Sequence, residues 1–121
     1  MQRLFLISLV LLLFSACENK SKTVKPFRLL TEQEMIAIMY DMQILEADMN
    51  YRKSKDKMTD EMPKEYYSQL FEHYGITDSI FDENLHYYTH DPALMERVMD
   101  SVTQRLTKIQ TTSSAQQQSN H

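Results

Sequence analysis

Few side chains in this sequence stand where they could do chemistry. Glu46 is the first: at 100° per residue it falls inside an apolar helical stripe of Met35, Met39, Met42 and Met49. A carboxylate there must snorkel to water, pair with a donor, or rise in pKa through desolvation. Such a group suits a catalytic acid, and it equally suits a carboxylate bonded to a tyrosine hydroxyl, for which seven tyrosines offer partners. The structural role is the simpler reading. Glu83, His86 and His90 share one helical face, and two histidines at i, i+4 beside a carboxylate can bind zinc. No HExxH pattern accompanies them, so they read as a solvated face and no metal or other cofactor is expected. Tyr66, Tyr67, Tyr74, Tyr87 and Tyr88 could stack on sugars, yet they serve as well in packing small helices with one polar end wet. No serine lies in a Gly-x-Ser-x-Gly turn, and the expectation is a protein without enzymatic activity.

The single thiol is placed more tellingly. Arg3 precedes an apolar run from Leu4 to Phe14, broken only by Ser8, and Cys17 ends the sequence Phe14-Ser15-Ala16-Cys17. The run is shorter than the ~20 residues a spanning helix needs and suits the apolar region of a secretory signal. Those four residues resemble a bacterial lipobox, with phenylalanine where leucine is usual. The resemblance implies acylation of the Cys17 thiol, cleavage after Ala16 and anchoring to a membrane, since two or more acyl chains hold a protein stably on a bilayer. The alternative is a structural cysteine behind a plain signal peptide. With one acid, Glu18, directly after the cysteine, the expectation is an outer-membrane lipoprotein facing the periplasm.

Composition narrows the rest. A chain of 121 residues allows one domain. One glycine excludes Gly-rich phosphate loops, and one cysteine excludes an internal disulfide. A net charge of −4 argues against nucleic acid as a partner, because phosphate contacts need a basic surplus.

The elements that position these residues are helical. Residues 1–16 read as signal peptide, 17–26 as lipidated cysteine and flexible tether, 27–109 as the folded domain and 110–121 as a disordered polar tail. The predicted fold class is all-α, a small bundle of about four amphipathic helices. Thr31 and Glu34 form a capping box, with Leu30 and Met35 as its hydrophobic staple. The first helix then carries a stripe of Met35, Ile38, Met39, Met42, Leu45 and Met49. Pro63 opens a second helix with the face Tyr66, Tyr67, Leu70, Phe71 and Tyr74, ended by Gly75. Thr77 or Asp78 caps a third, with Ile80, Phe81, Leu85 and Tyr88 inward. Asp91-Pro92 starts a fourth, expected to bury Leu94, Met95, Val98, Met99, Val102, Leu106 and Ile109. Methionines on these stripes read as core filler rather than as an adaptable binding surface.

The first helix has a second apolar line at Ile36, Tyr40, Ile44 and Ala47. A helix apolar on two sides is central in its bundle or offers one side to a partner. Ile36, Tyr40, Asp41, Ile44 and Glu46 are therefore the candidate partner or pocket contacts, with Asp41 as a polar rim.

With the helices placed, the stretches Ile38–Asp48 (IMYDMQILEAD), Tyr67–Ile76 ending His-Tyr-Gly-Ile, and Phe81–Pro92 (FDENLHYYTHDP) resemble the DUF4296 proteins of Bacteroidetes, over about residues 30 to 107. The resemblance implies an envelope lipoprotein with an α-helical domain and no established activity. The functional expectation is an accessory or scaffold component that binds other envelope proteins. A glycan- or peptide-binding module, or a chaperone-like one, is the alternative.

Overall fold

The computed structural model describes residues 23–119. Four helices follow one another: α1 (Glu32–Ser54), α2 (Met62–His73), α3 (Asp78–Thr89) and α4 (Pro92–Ser119). The all-α expectation holds, and among the described residues there is no strand. Each helix packs on its sequence neighbour, and α4 also passes back to close against α1, so the four form a ring around one core.

The helix boundaries follow local chemistry. Glu34 N–H donates to Thr31 Oγ1 at 3.2 Å and Thr31 N–H to Glu34 Oε2 at 2.7 Å, the two halves of the capping box. Leu30 and Met35, the staple pair, are both fully buried. α1 ends with Asp56 in the left-handed region (φ 54°), where Lys57 N–H reaches Arg52 O and Asp56 N–H reaches Lys53 O. α2 ends the same way on Gly75 (φ 63°), and Ile76 folds back to donate to Phe71 O at 3.0 Å. α1 runs on past its last stripe position, Met49, to Ser54, so the charged connection to α2 covers only residues 55–61. Of the two candidate caps on α3, Thr77 is the one used. Asp91 caps α4 through Oδ1, which accepts from Leu94 N–H at 3.1 Å.

The core draws Met35, Ile36 and Ile38 from α1, Phe71 from α2, Phe81 and Tyr88 from α3, and Val98 and Val102 from α4. Phe71 and Phe81 stack at 5.1 Å between ring centroids, joining α2 to α3. α1 and α2 are antiparallel, as their side-chain pairs Asp41–Tyr74 and Glu46–Tyr67 require. α1 and α4 advance in the same direction: Arg97 meets Glu32 near both starts, and Tyr40 lies opposite Arg105 two turns on.

Two features of α4 differ from expectation. Met99 and Ile109 are 39% and 42% exposed rather than buried. The helix also continues to Ser119, past the last apolar position, with every side chain from Thr107 to Gln117 exposed. Adding residues to a helix already nucleated by packing costs little, so a polar Gln/Ser/Ala run can extend it without burial. Residues 120–121 lie outside the described residues.

The segment before α1 is pinned rather than loose. Asn84 of α3 is fully buried, and its Oδ1 accepts from Leu30 N–H at 2.7 Å. Its Nδ2 donates to Arg28 O and to Ile80 O, both at 2.8 Å. Tyr88, one turn on, donates its hydroxyl to Leu30 O at 2.8 Å. Arg28 in turn donates to the carbonyl of Gly75. Side chains of α3 thus satisfy a strap, residues 28–30, whose backbone has no partner strand. Pro26, which the sequence assigns to the tether, is also buried.

Candidate functional site

α1 is the helix on which the candidate residues converge, and the fold sends them to two different sides. Toward α2 point Asp41 and Glu46. The Tyr67 hydroxyl donates to Glu46 Oε1 at 2.9 Å, and the Tyr74 hydroxyl donates to Asp41. Tyr67 lies on α2 and Tyr74, two turns further along, is its C-cap, so both reach α1 from the same face. Glu46, a carboxylate within an apolar stripe, has thereby found the tyrosine partner that the sequence analysis weighs against a catalytic role.

Burial, and then the hydrogen bond to its carboxylate, pushes each of these phenols up to about 12. Tyr88 is raised as well, chiefly by burial. The unfolded phenol titrates near ~10. A raised native pKa means that this stabilisation is fully present below about pH 10 and is lost as pH climbs through about 12. The urea midpoint should therefore fall steeply across that alkaline window. In a Tyr67→Phe/Tyr74→Phe double variant the fall should be shallower, with Tyr88 supplying the remainder.

Beside the Tyr67–Glu46 pair, the α1–α2 turn leaves a cleft of about 440 Å³. Met49, Met58 and Pro63 give it apolar walls, while Lys53, Asp60 and Glu46 put both signs of charge at its edge.

Toward α4 the second apolar line divides. Ile36 is 2% exposed and belongs to the core, which corrects its assignment as a surface contact. The wheel puts Ile36 and Ile44 on one line, but α4 covers only the first turns of α1 on that side. Tyr40 is half-buried, Ala47 is exposed, and Ile44 is 43% exposed. A groove of about 410 Å³ opens there between α1 and the outer half of α4, lined by Tyr40, Arg105, Lys108, Ile109 and Thr112. Its floor is apolar and its rim is cationic.

The remaining candidates scatter. His86 and His90 are exposed, with ring centroids 4.3 Å apart and His90 Nδ1 2.8 Å from His86 O. Among the described residues no three or more His, Cys, Asp or Glu side chains gather as a metal site would require. Cys17 lies outside the described residues. No described helix is long and apolar enough to cross a membrane.

Asn84 is the residue that sequence reasoning missed. The available signal was an amide on the buried face of α3 between Phe81 and Tyr88, the same anomaly that marks Glu46 on α1.

Comparison with known proteins adds one match. No curated protein and no solved structure matches the chain. A family model described as a domain of unknown function, DUF4296, matches residues 26–112, from the buried proline before the strap into the outer half of α4. On that match, covering most of its length, the chain belongs to the DUF4296 family.

Proposed function

We propose that this chain is a lipoprotein of the Bacteroidetes envelope, acylated at Cys17 and facing the periplasm from the outer membrane. Its helical domain binds other envelope proteins as an accessory or scaffold component and carries out no catalysis. The observation that supports the reading is the groove between α1 and α4. Half-buried Tyr40 and exposed Ile109 line it with Arg105 and Lys108, in a chain of net charge −4, and exposed Ile44 lies one turn beyond Tyr40 on α1. A partner segment with apolar anchors flanked by aspartate or glutamate fits that surface, because complementary charge steers and aligns docking while the apolar anchors supply affinity.

A carbodiimide cross-linker, which joins lysine amines directly to carboxylates, tests this in intact envelopes. Lys108 should cross-link to an acidic side chain of one defined partner, and an Ile44→Glu/Ile109→Glu double variant should lose most of that product. Recovery of the protein alone, or an unchanged yield from the double variant, would overturn the reading. The cleft beside Glu46 supports a second reading, a site for a small glycan or peptide carrying both charges; a thermal shift on adding such ligands, abolished by Tyr67→Phe, would favour it.

A further inference from the structure

The cleft between α1 and α2 holds charges that the fold does not use. Glu46 Oε1 accepts from the Tyr67 hydroxyl, and among the described residues Oε2 accepts from no donor. The Tyr67 bond fixes the carboxylate, so the free oxygen is in place before any ligand arrives. Lys53, two turns along α1, and Asp60, in the connection to α2, line the same cleft. Neither has an ion-pair partner among the described residues. The walls between these charges are apolar. Met49 is buried, and Met58 and Pro63 are half-buried. Met58 lies outside the core cluster, so core filling does not account for it, and a thioether adapts to varied aliphatic neighbours. The enclosed space of about 440 Å³ is that of a small-ligand pocket.

We propose that this cleft binds a short peptide with both ends free, in the simplest case a dipeptide. Its ammonium group sits on Glu46, its carboxylate on Lys53, and its aliphatic side chains against Met49 and Met58. Spacing selects the length. Glu46 and Lys53, at i, i+7, share one face of α1 with about 10 Å between their Cα atoms. An N–O contact of about 2.8 Å at each end leaves roughly 5 Å between the ligand's own charges. A dipeptide covers that distance at up to about 3.5 Å per residue, whereas the two charged groups of a single amino acid share one carbon and fall short. Glu46 and Asp60 against one lysine make the ammonium the better-held end. The proposal rests on the small-ligand reading of this cleft and not on the lipid anchor.

The two methionines let the site report on itself. In the full-length protein carrying ¹³C-labelled methionine methyl groups, leucyl-leucine should shift the Met49 and Met58 signals saturably and leave Met99 of α4 unmoved. N-acetylation of the dipeptide should weaken binding at least tenfold, and amidation of its carboxylate several-fold. Free leucine should bind at least tenfold more weakly than the dipeptide. Glu46→Gln should reproduce the loss caused by acetylation, since its amide oxygen still accepts from Tyr67. Lys53→Gln, at an exposed position, should erase the difference between free and amidated dipeptide. The ligand series decides the matter even if a variant fails to fold. Equal affinity for the acetylated dipeptide overturns the assignment of the ends and leaves a small-ligand cleft standing. Leucine bound as tightly as the dipeptide overturns the spacing argument and the proposal with it. No shift at either methionine with millimolar dipeptide overturns the proposal, and no shift with neutral glycans or end-blocked peptides as well removes the small-ligand reading too.

Discussion

Replacing Asn84 with leucine should cost about 3–4 kcal/mol, one of the two largest losses expected from a single change in this domain. The shape is nearly kept, so packing is not the cause. The Leu30 N–H and the Arg28 carbonyl lose their partners inside the protein, and each orphaned buried group costs roughly 1–3 kcal/mol. The Ile80 carbonyl suffers less, since the backbone of the same helix still serves it. If the strap peels off to find water instead, it exposes Leu30, whose burial stabilises by a similar amount of about 2–3 kcal/mol. Either route takes a large share of the stability of a domain this small, and the melting temperature should drop by about 15–25 °C. Asn84→Asp should also destabilise, because a carboxylate keeps the bond from Leu30 N–H but faces the Arg28 and Ile80 carbonyls with no donor. Urea unfolding of both variants measures the effect; a change below about 1 kcal/mol for Asn84→Leu would show that the strap contributes little.

How far the sequence reveals this arrangement depends on the range of the interactions. The capping box at Thr31 and Glu34, the Gly75 terminus and the Asp91 cap are written within a few residues, and all are as read. The Tyr67–Glu46 bond was half legible. A carboxylate in an apolar stripe needs a donor, but which tyrosine supplies it is decided only when α1 and α2 adopt their antiparallel register. Asn84 lies deeper still, because its partners on the strap are backbone groups more than fifty positions away, with no side-chain identity to mark them. The second apolar line of α1 was legible as a line and not as a surface. Where α4 crosses it decides that Ile36 is core and Ile44 is open, and a helical wheel does not contain that crossing.

This division sets up the second large effect. Ile36→Glu should leave the protein globally unfolded near neutral pH. It forfeits about 2–3 kcal/mol of apolar burial and places an ionised carboxylate at a position 2% exposed, with a desolvation cost of several kcal/mol more. Ile44→Glu, two turns away and 43% exposed, should stay within about 0.5 kcal/mol of the parent. Circular dichroism and urea melts of the two single variants separate them directly. Loss of fold in both would mean that Ile44 is buried in solution. Survival of both would mean that Ile36 faces water after all. Only the split result leaves Ile44→Glu usable as a probe of partner binding, since its effects can then be read without correction for unfolding.

The strap has a mechanical corollary. Tension arriving from the chain ahead of Arg28 does not reach the first turn of α1 directly; it is carried sideways into α3, where the Asn84 and Tyr88 bonds on Arg28 and Leu30 share the load before the capping box feels it. Bonds stressed side by side resist a pull better than bonds opened one after another. The clasp thus works as a strain relief, letting the domain be tugged from its front end without unravelling from that end.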